Sequence, residues 1–130
     1  YKTIKKKSEG LYKEKGSKFI ALAFPVKSEN EFKEVYAEVK KEYHNARHHC
    51  YAYRVNPEEE EVRSHDDGEP SGTAGKPILN QMYSHELYNL TVIVVRYFGG
   101  TKLGVSGLIN AYKQATFDAL SEANIITVEW

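Results

Sequence analysis

Residues 92 to 108 read VIVVRYFGGTKLGVSGL, and this stretch decides how the chain is organised. A β-branched run, Val92 to Val95, breaks into Gly99-Gly100, then Gly104 and Gly107, before an apolar helical pattern begins. The pattern predicts a buried strand delivered into a glycine turn that opens a helix. Such a junction leaves backbone N–H groups unpaired at the positive end of a helix dipole, where an anion binds well. Arg96 and Lys102 add fixed positive charge on either side. A phosphate or carboxylate held at this turn is the first functional expectation. Glycine also serves tight turns and close helix–sheet packing without any ligand, and the spacing is neither a Walker loop nor a dinucleotide fingerprint. Both readings stay open on spacing alone.

Outward from that junction, Gly16-Ser17 turns a hairpin into an apolar strand at 19 to 26. Ser28 with Glu31 forms a capping box for a helix over 29 to 42, and Phe32, Val35, Tyr36 and Val39 make its apolar face. Residues 48 to 55 alternate as a strand, Asn56-Pro57 turns it, and Glu61 to Ser64 return as another. Pro77 suits the first turn of a short helix to Met82. After the strand at 91 to 97, a helix from 105 to 123 offers Leu108, Ile109, Tyr112, Ala115, Phe117 and Leu120 to the core, and 125 to 128 add a last strand. The expected fold class is α+β: a two-layer sandwich in which a mixed sheet carries both long helices on one face. That expectation assumes too little helical surface to cover two sheet faces.

At 130 residues the chain suits one domain, 1 to 130, with a core that needs no metal or disulfide staple. Formal net charge is zero, so no global field draws it onto nucleic acid or an acidic membrane. Locally, residues 1 to 18 hold seven lysines against two glutamates, while Glu58 to Glu61 and Asp66-Asp67-Gly68-Glu69 are acidic. Cys50 is the single cysteine, in keeping with a reducing cytoplasm. No apolar run reaches the roughly 20 residues of a membrane span. The chain does not begin with Met, which points to a trimmed sequence.

Residues 65 to 77, HDDGEPSGTAGKP, form a long loop in which three carboxylates meet three glycines. Loops of this length within small domains are more often functional than decorative. The alternative is a solvated acidic surface loop. His48-His49-Cys50, with His65 and Asp66, invites a zinc reading, but only His48 and Cys50 share a strand face and no zinc-ligand spacing is present. No metal and no cofactor is expected. Cys50 reads as a small core residue rather than a nucleophile.

The segments HHCYAY (48 to 53), DDGEPSGTAGKPIL (66 to 79) and VVRYFGGTKLGVSGLINAY (94 to 112) resemble the blocks of the YigZ/IMPACT family, in the same order. The resemblance implies a domain similar to those of ribosomal proteins and elongation factors. It also implies that the second, ferredoxin-like domain of bacterial members is absent or truncated here. Eukaryotic relatives regulate a stress kinase that controls translation initiation through an extra N-terminal domain, which this chain is expected to lack. Carried over by position, the family pattern marks His48, His49, Asp66, Asp67, Glu69, Gly72, Thr73, Gly75, Arg96, Tyr97, Gly99, Gly100 and Gly104. Chemistry adds Lys102.

Together these residues describe one crevice: a floor at 99 to 105, Arg96 and the histidines beside it, and the acidic loop closing one side. Two functions compete for it. One is a non-catalytic module binding RNA or a ribosomal partner through phosphate, in translation or stress regulation, with Tyr51, Tyr53, Tyr97 and Phe98 available to stack on bases, though most are equally good core residues. The other is a phosphate-ester hydrolase or transferase using Asp66, Asp67 or Glu69, with His48 or His49 as base. The lack of a nucleophile or metal motif tips the balance to binding. Arg96 has two readings as well, as a bidentate phosphate contact or as an internal partner for Asp66, Asp67 or Glu69.

Overall fold

Every residue from Leu90 to Arg96 is buried, and that strand forms the middle of the molecule. The computed structural model describes residues 1–129. Its elements are β1 (Lys2–Ile4), β2 (Ser8–Glu14), β3 (Ser17–Pro25), α1 (Glu29–Glu42), β4 (His48–Val55) and β5 (Glu61–His65). They continue with α2 (Gly75–Ser84), β6 (Leu90–Tyr97), α3 (Gly104–Ser121) and β7 (Ile125–Thr127). Five strands lie in the order β2-β3-β6-β4-β5, and a separate ribbon pairs β1 with β7.

The α+β class holds, with three helices against a five-stranded sheet. Two finer expectations do not. The five-stranded sheet is antiparallel throughout rather than mixed, because each neighbour pair is joined as a hairpin or by an antiparallel return. The helices also cover both of its faces rather than one. Phe19, Ala21, Ala23, Cys50, Ala52, Val92 and Val94 pack with α2 and α3. Leu22, Tyr51, Tyr53, Val55, Ile93 and Val95 pack with α1.

Side-chain size explains how three modest helices manage this. On the α1 side, Phe32 meets Tyr51 and Tyr53 at ring-centroid distances of 4.5 and 4.8 Å, so a few large rings cover much area. On the other side, alanines and Cys50 keep the sheet surface low and let α2 and α3 come close. Gly10 marks the extreme: a Cβ there would lie 2.3 Å from the Ala119 nitrogen and 2.6 Å from the Ala115 carbonyl oxygen.

Local chemistry sets the boundaries. Lys15 and Gly16 both have positive φ, as a two-residue hairpin turn between twisted strands requires. Ser28 Oγ accepts from the Glu31 N–H, while the Glu31 carboxylate reaches back to the Lys27 N–H, one residue earlier than a standard capping box. In α3 the buried face runs through Leu108, Ala111, Tyr112, Ala115, Ala119 and Leu120. Ile109 and Phe117, expected in the core, are exposed instead, because the small residues hold the contact with the sheet. No helix among the described residues is long and apolar enough to cross a membrane.

Candidate anion-binding crevice

The acidic loop after β5 is held by its own backbone. Asp66 Oδ1 accepts from the N–H groups of Ala74 (3.2 Å) and Gly75 (2.8 Å), and Oδ2 from that of Gly72 (2.9 Å). This carboxylate thereby serves the start of α2, whose own N-cap, Ala74, provides no side-chain acceptor. Burial pushes the Asp66 carboxyl up, but the three N–H donors outweigh it and hold it below the ordinary aspartate value. Asp67, at φ 43°, accepts the His49 N–H at 2.7 Å, and its carbonyl accepts from His48 Nδ1 at 2.7 Å. Thr73 donates to the Pro70 carbonyl at 2.6 Å. Gly75 is needed for packing, since a Cβ there would lie 2.6 Å from the His65 nitrogen.

Glu69 turns inward and gathers a buried network. Arg96 Nη1 donates to both of its oxygens, at 3.0 and 2.9 Å, and Tyr112 O–H to Oε2 at 2.5 Å. His48 Nε2 lies 3.4 Å from Oε1. Arg96 Nη2 donates to Ser17 Oγ at 3.3 Å. Of the two readings of Arg96, the internal pairing is the one the structure displays, with Glu69 as partner. One guanidinium donor is left over: Arg96 is 5% exposed, yet its Nε is buried with no hydrogen-bond partner. Beneath this network the Cys50 thiol faces the Asp66 carbonyl at 3.0 Å and the Tyr112 hydroxyl at 3.4 Å. Burial pushes both the Cys50 thiol and the Tyr112 hydroxyl well up, so both stay protonated and the thiol is a poor nucleophile. Among the described residues, no group of three or more His, Cys, Asp or Glu is arranged to hold a metal ion.

Above Arg96 opens a crevice of about 370 Å³. The buried network supplies His48, Glu69 and Arg96 to its wall, Pro70 and Phe98 flank them, and Lys102 to Val105 bring in the start of α3. That helix begins without a cap: Leu103 at the N-cap position provides no side-chain acceptor, and the first turn contains no acidic residue. Gly100 and Gly104 have φ of 89° and 74°, with nothing within 4 Å of where a Cβ would sit. Gly99 differs. A Cβ there would come 2.0 Å from the Gly16 carbonyl carbon, and its N–H is held by Ser17 Oγ at 3.1 Å, so it closes β6 onto the β2–β3 turn.

Strand parity sorts the expected site residues. His48 and Arg96 face α3 and line the crevice with Glu69, Lys102 and Gly104. His49 and Tyr97 point to the α1 side, where His49 Nε2 meets the Tyr43 carbonyl at 2.8 Å and Tyr97 packs on the α1 cluster. Asp66, Asp67, Gly72, Thr73 and Gly75 build the loop and are not among the lining residues. Sequence reasoning missed Arg47; of the four aromatics it offered for stacking, only Phe98 lines the crevice, while Tyr51, Tyr53 and Tyr97 pack on the α1 side. Phe98 lies two residues past Arg96 and so shares its face, while the Arg47 N–H donates to the Arg96 carbonyl at 2.9 Å. The Arg47 guanidinium sits 4.7 Å from the Phe98 ring centroid.

Residues 15–120 match the Impact N-terminal domain, and the chain belongs to the IMPACT family. It is 37% identical over 126 residues to the IMPACT family member YvyE of Bacillus subtilis, covering 97% of this chain and 58% of that protein. It is 37% identical to YigZ of Escherichia coli, covering 83% of this chain and 54% of that protein. A Thermus thermophilus family member is 42% identical, covering 82% of this chain and 56% of that protein. The chain thus spans little more than half the length of these relatives. Among solved structures, a hypothetical protein superposes with a TM-score of 0.92 at 32% identity, covering 97% of this chain and 62% of that one. The two-domain translational regulator Yih1 superposes with a TM-score of 0.61 at 22% identity, covering 92% of this chain and 48% of that one, a likeness of fold.

Proposed function

We propose that this domain is a non-catalytic module that binds RNA of the translation machinery in the cytoplasm, through a phosphate held in the crevice. The observation that carries the reading is the first turn of α3, uncapped and free of acid, opening beside Lys102 and Arg47. Its unpaired N–H groups and dipole favour an anion there. Arg96 also lines the crevice, and one of its guanidinium donors, Nε, is left without a partner inside the buried network. Support for translation comes from Yih1, a translational regulator that shares this fold. The hydrolase reading is weaker. Asp66 is bound by three backbone donors, Asp67 by His49, and Glu69 by Arg96 and Tyr112, which leaves no carboxylate ready to move a proton.

The test is a titration of a fluorescent single-stranded RNA oligonucleotide from about 50 to about 200 mM salt. Log affinity should fall linearly with log salt, by about 0.7 per phosphate neutralised. Lys102→Ala should reduce that slope by up to about one contact while the melting temperature holds. Affinity that does not respond to salt would rule the reading out.

A further inference from the structure

We infer that the crevice takes one unpaired nucleotide, its base stacked on the Arg47–Phe98 pair and its phosphate at the start of α3, so that the domain selects single-stranded over duplex RNA. This rests on the phosphate reading above and adds the part of the ligand beyond the phosphate.

Phosphate alone leaves half of the crevice unexplained. Pro70, Phe98, Leu103, Val105 and Leu108 give it largely apolar walls, which do nothing for a bare, strongly hydrated anion. Phe98 is 38% exposed, at the strand end where β6 runs into the glycine turn. An exposed ring is common, but this one carries guanidinium groups at 4.7 Å (Arg47) and 5.5 Å (Arg96). Arg47 is itself exposed, so its planar head is open to a further layer. A flat, weakly hydrated nucleobase extends such a stack, on the ring or on the guanidinium plane.

Size narrows the class further. A volume of about 370 Å³ lies at the lower end of small-ligand sites, enough for a single nucleotide. The crevice lies between the end of β6 and the first turn of α3, and its floor is the buried Glu69–Arg96 pair. A paired base is locked inside its duplex and has to be unstacked before it can enter. An unpaired base enters without that cost. The charged and apolar halves of the crevice thus match the two halves of one nucleotide.

The experiment compares one RNA oligonucleotide, carrying 2-aminopurine at a single position, alone and annealed to its complement. Expected are tighter binding of the single strand, by roughly ten-fold or more, and quenching of 2-aminopurine emission on binding. Phe98→Ala should remove most of that preference while keeping the salt slope, and Phe98→Trp should retain both quenching and preference. Equal affinity for both forms, with no quenching and an intact salt slope, would overturn the stacked nucleotide and leave the phosphate reading standing. No binding of either form would overturn both. Quenching in the unaltered protein is read independently of how the variants fold.

Discussion

The chain has two glycine-rich segments, 66 to 75 and 99 to 104, and they use similar residues to opposite ends. In the first, polar groups are turned inward. Asp66 closes three backbone N–H groups, Asp67 holds β4, and Glu69 anchors Arg96 and Tyr112. In the second, the groups past Gly99 are left open. Gly100 and Gly104 have empty space beside them, and the helix they introduce has no cap. The acidic loop is a brace, and the glycine turn is the surface it supports. Density of polar residues therefore does not tell a loop that satisfies its own groups from a turn that leaves them open; counting the hydrogen bonds does.

Removing a brace should cost far more stability than altering the turn. Glu69→Ala leaves Arg96 buried without its counter-charge and should destabilise by about 3–5 kcal/mol in urea unfolding. A loss below about 1 kcal/mol would place the anchor elsewhere and dissolve the contrast.

Asp66→Ala should cost less, about 2 kcal/mol, for lost hydrogen bonds to a charged acceptor. Its pH dependence sharpens the point. The Asp66 carboxyl lies below its ordinary value in the folded state, so its contribution is fully present above about pH 4. It is lost as pH falls through the lowered value, because the unfolded chain then binds its proton first. The gap in melting temperature between Asp66→Ala and the parent should therefore be constant near neutrality and shrink in acid. A gap that widens in acid would contradict the three-donor account.

Smallest of all should be Gly100→Ala. Nothing stands within 4 Å of its Cβ position, so only the φ of 89° resists, at about 1 kcal/mol. Thermal melts showing a penalty close to that of Glu69→Ala would mean that the turn is filled after all.

Much of this was legible from the residues. The Val92–Val95 run announced the central strand, Gly16 the hairpin, and Ser28 with Glu31 the start of α1. That same valine run also signalled a strand covered on both faces, since one-sided burial alternates with polar residues. Helix count argued otherwise only because it ignored how much area Phe32, Tyr51 and Tyr53 cover. Within the candidate site, parity alone could have separated His48 from His49 and brought in Phe98 beside Arg96. That a loop carboxylate pairs with Arg96 was one of two readings, but which one, and that Asp66 instead closes backbone N–H groups, was out of reach. Whether a loop carboxylate turns toward backbone N–H groups or toward a distant arginine depends on where the ends of β5, α2 and β6 lie in space, and composition does not encode that.

Gly10 has a consequence for alignment. It seats α3 against β2 at Ala115 and Ala119, near the C-terminal half of the helix. The open end at Gly104 lies about 20 Å away along the axis, at 1.5 Å per residue. A rod displaced at one end moves further at the other, to the extent that the contacts between them yield, here those of the buried Leu108 and Tyr112. A tilt of about 5° at Gly10 would swing the tip by about 1.7 Å over that length. A methyl group added at Gly10, on the edge strand β2, would thus bear on the crevice at the other end of the helix as well as on its own contact.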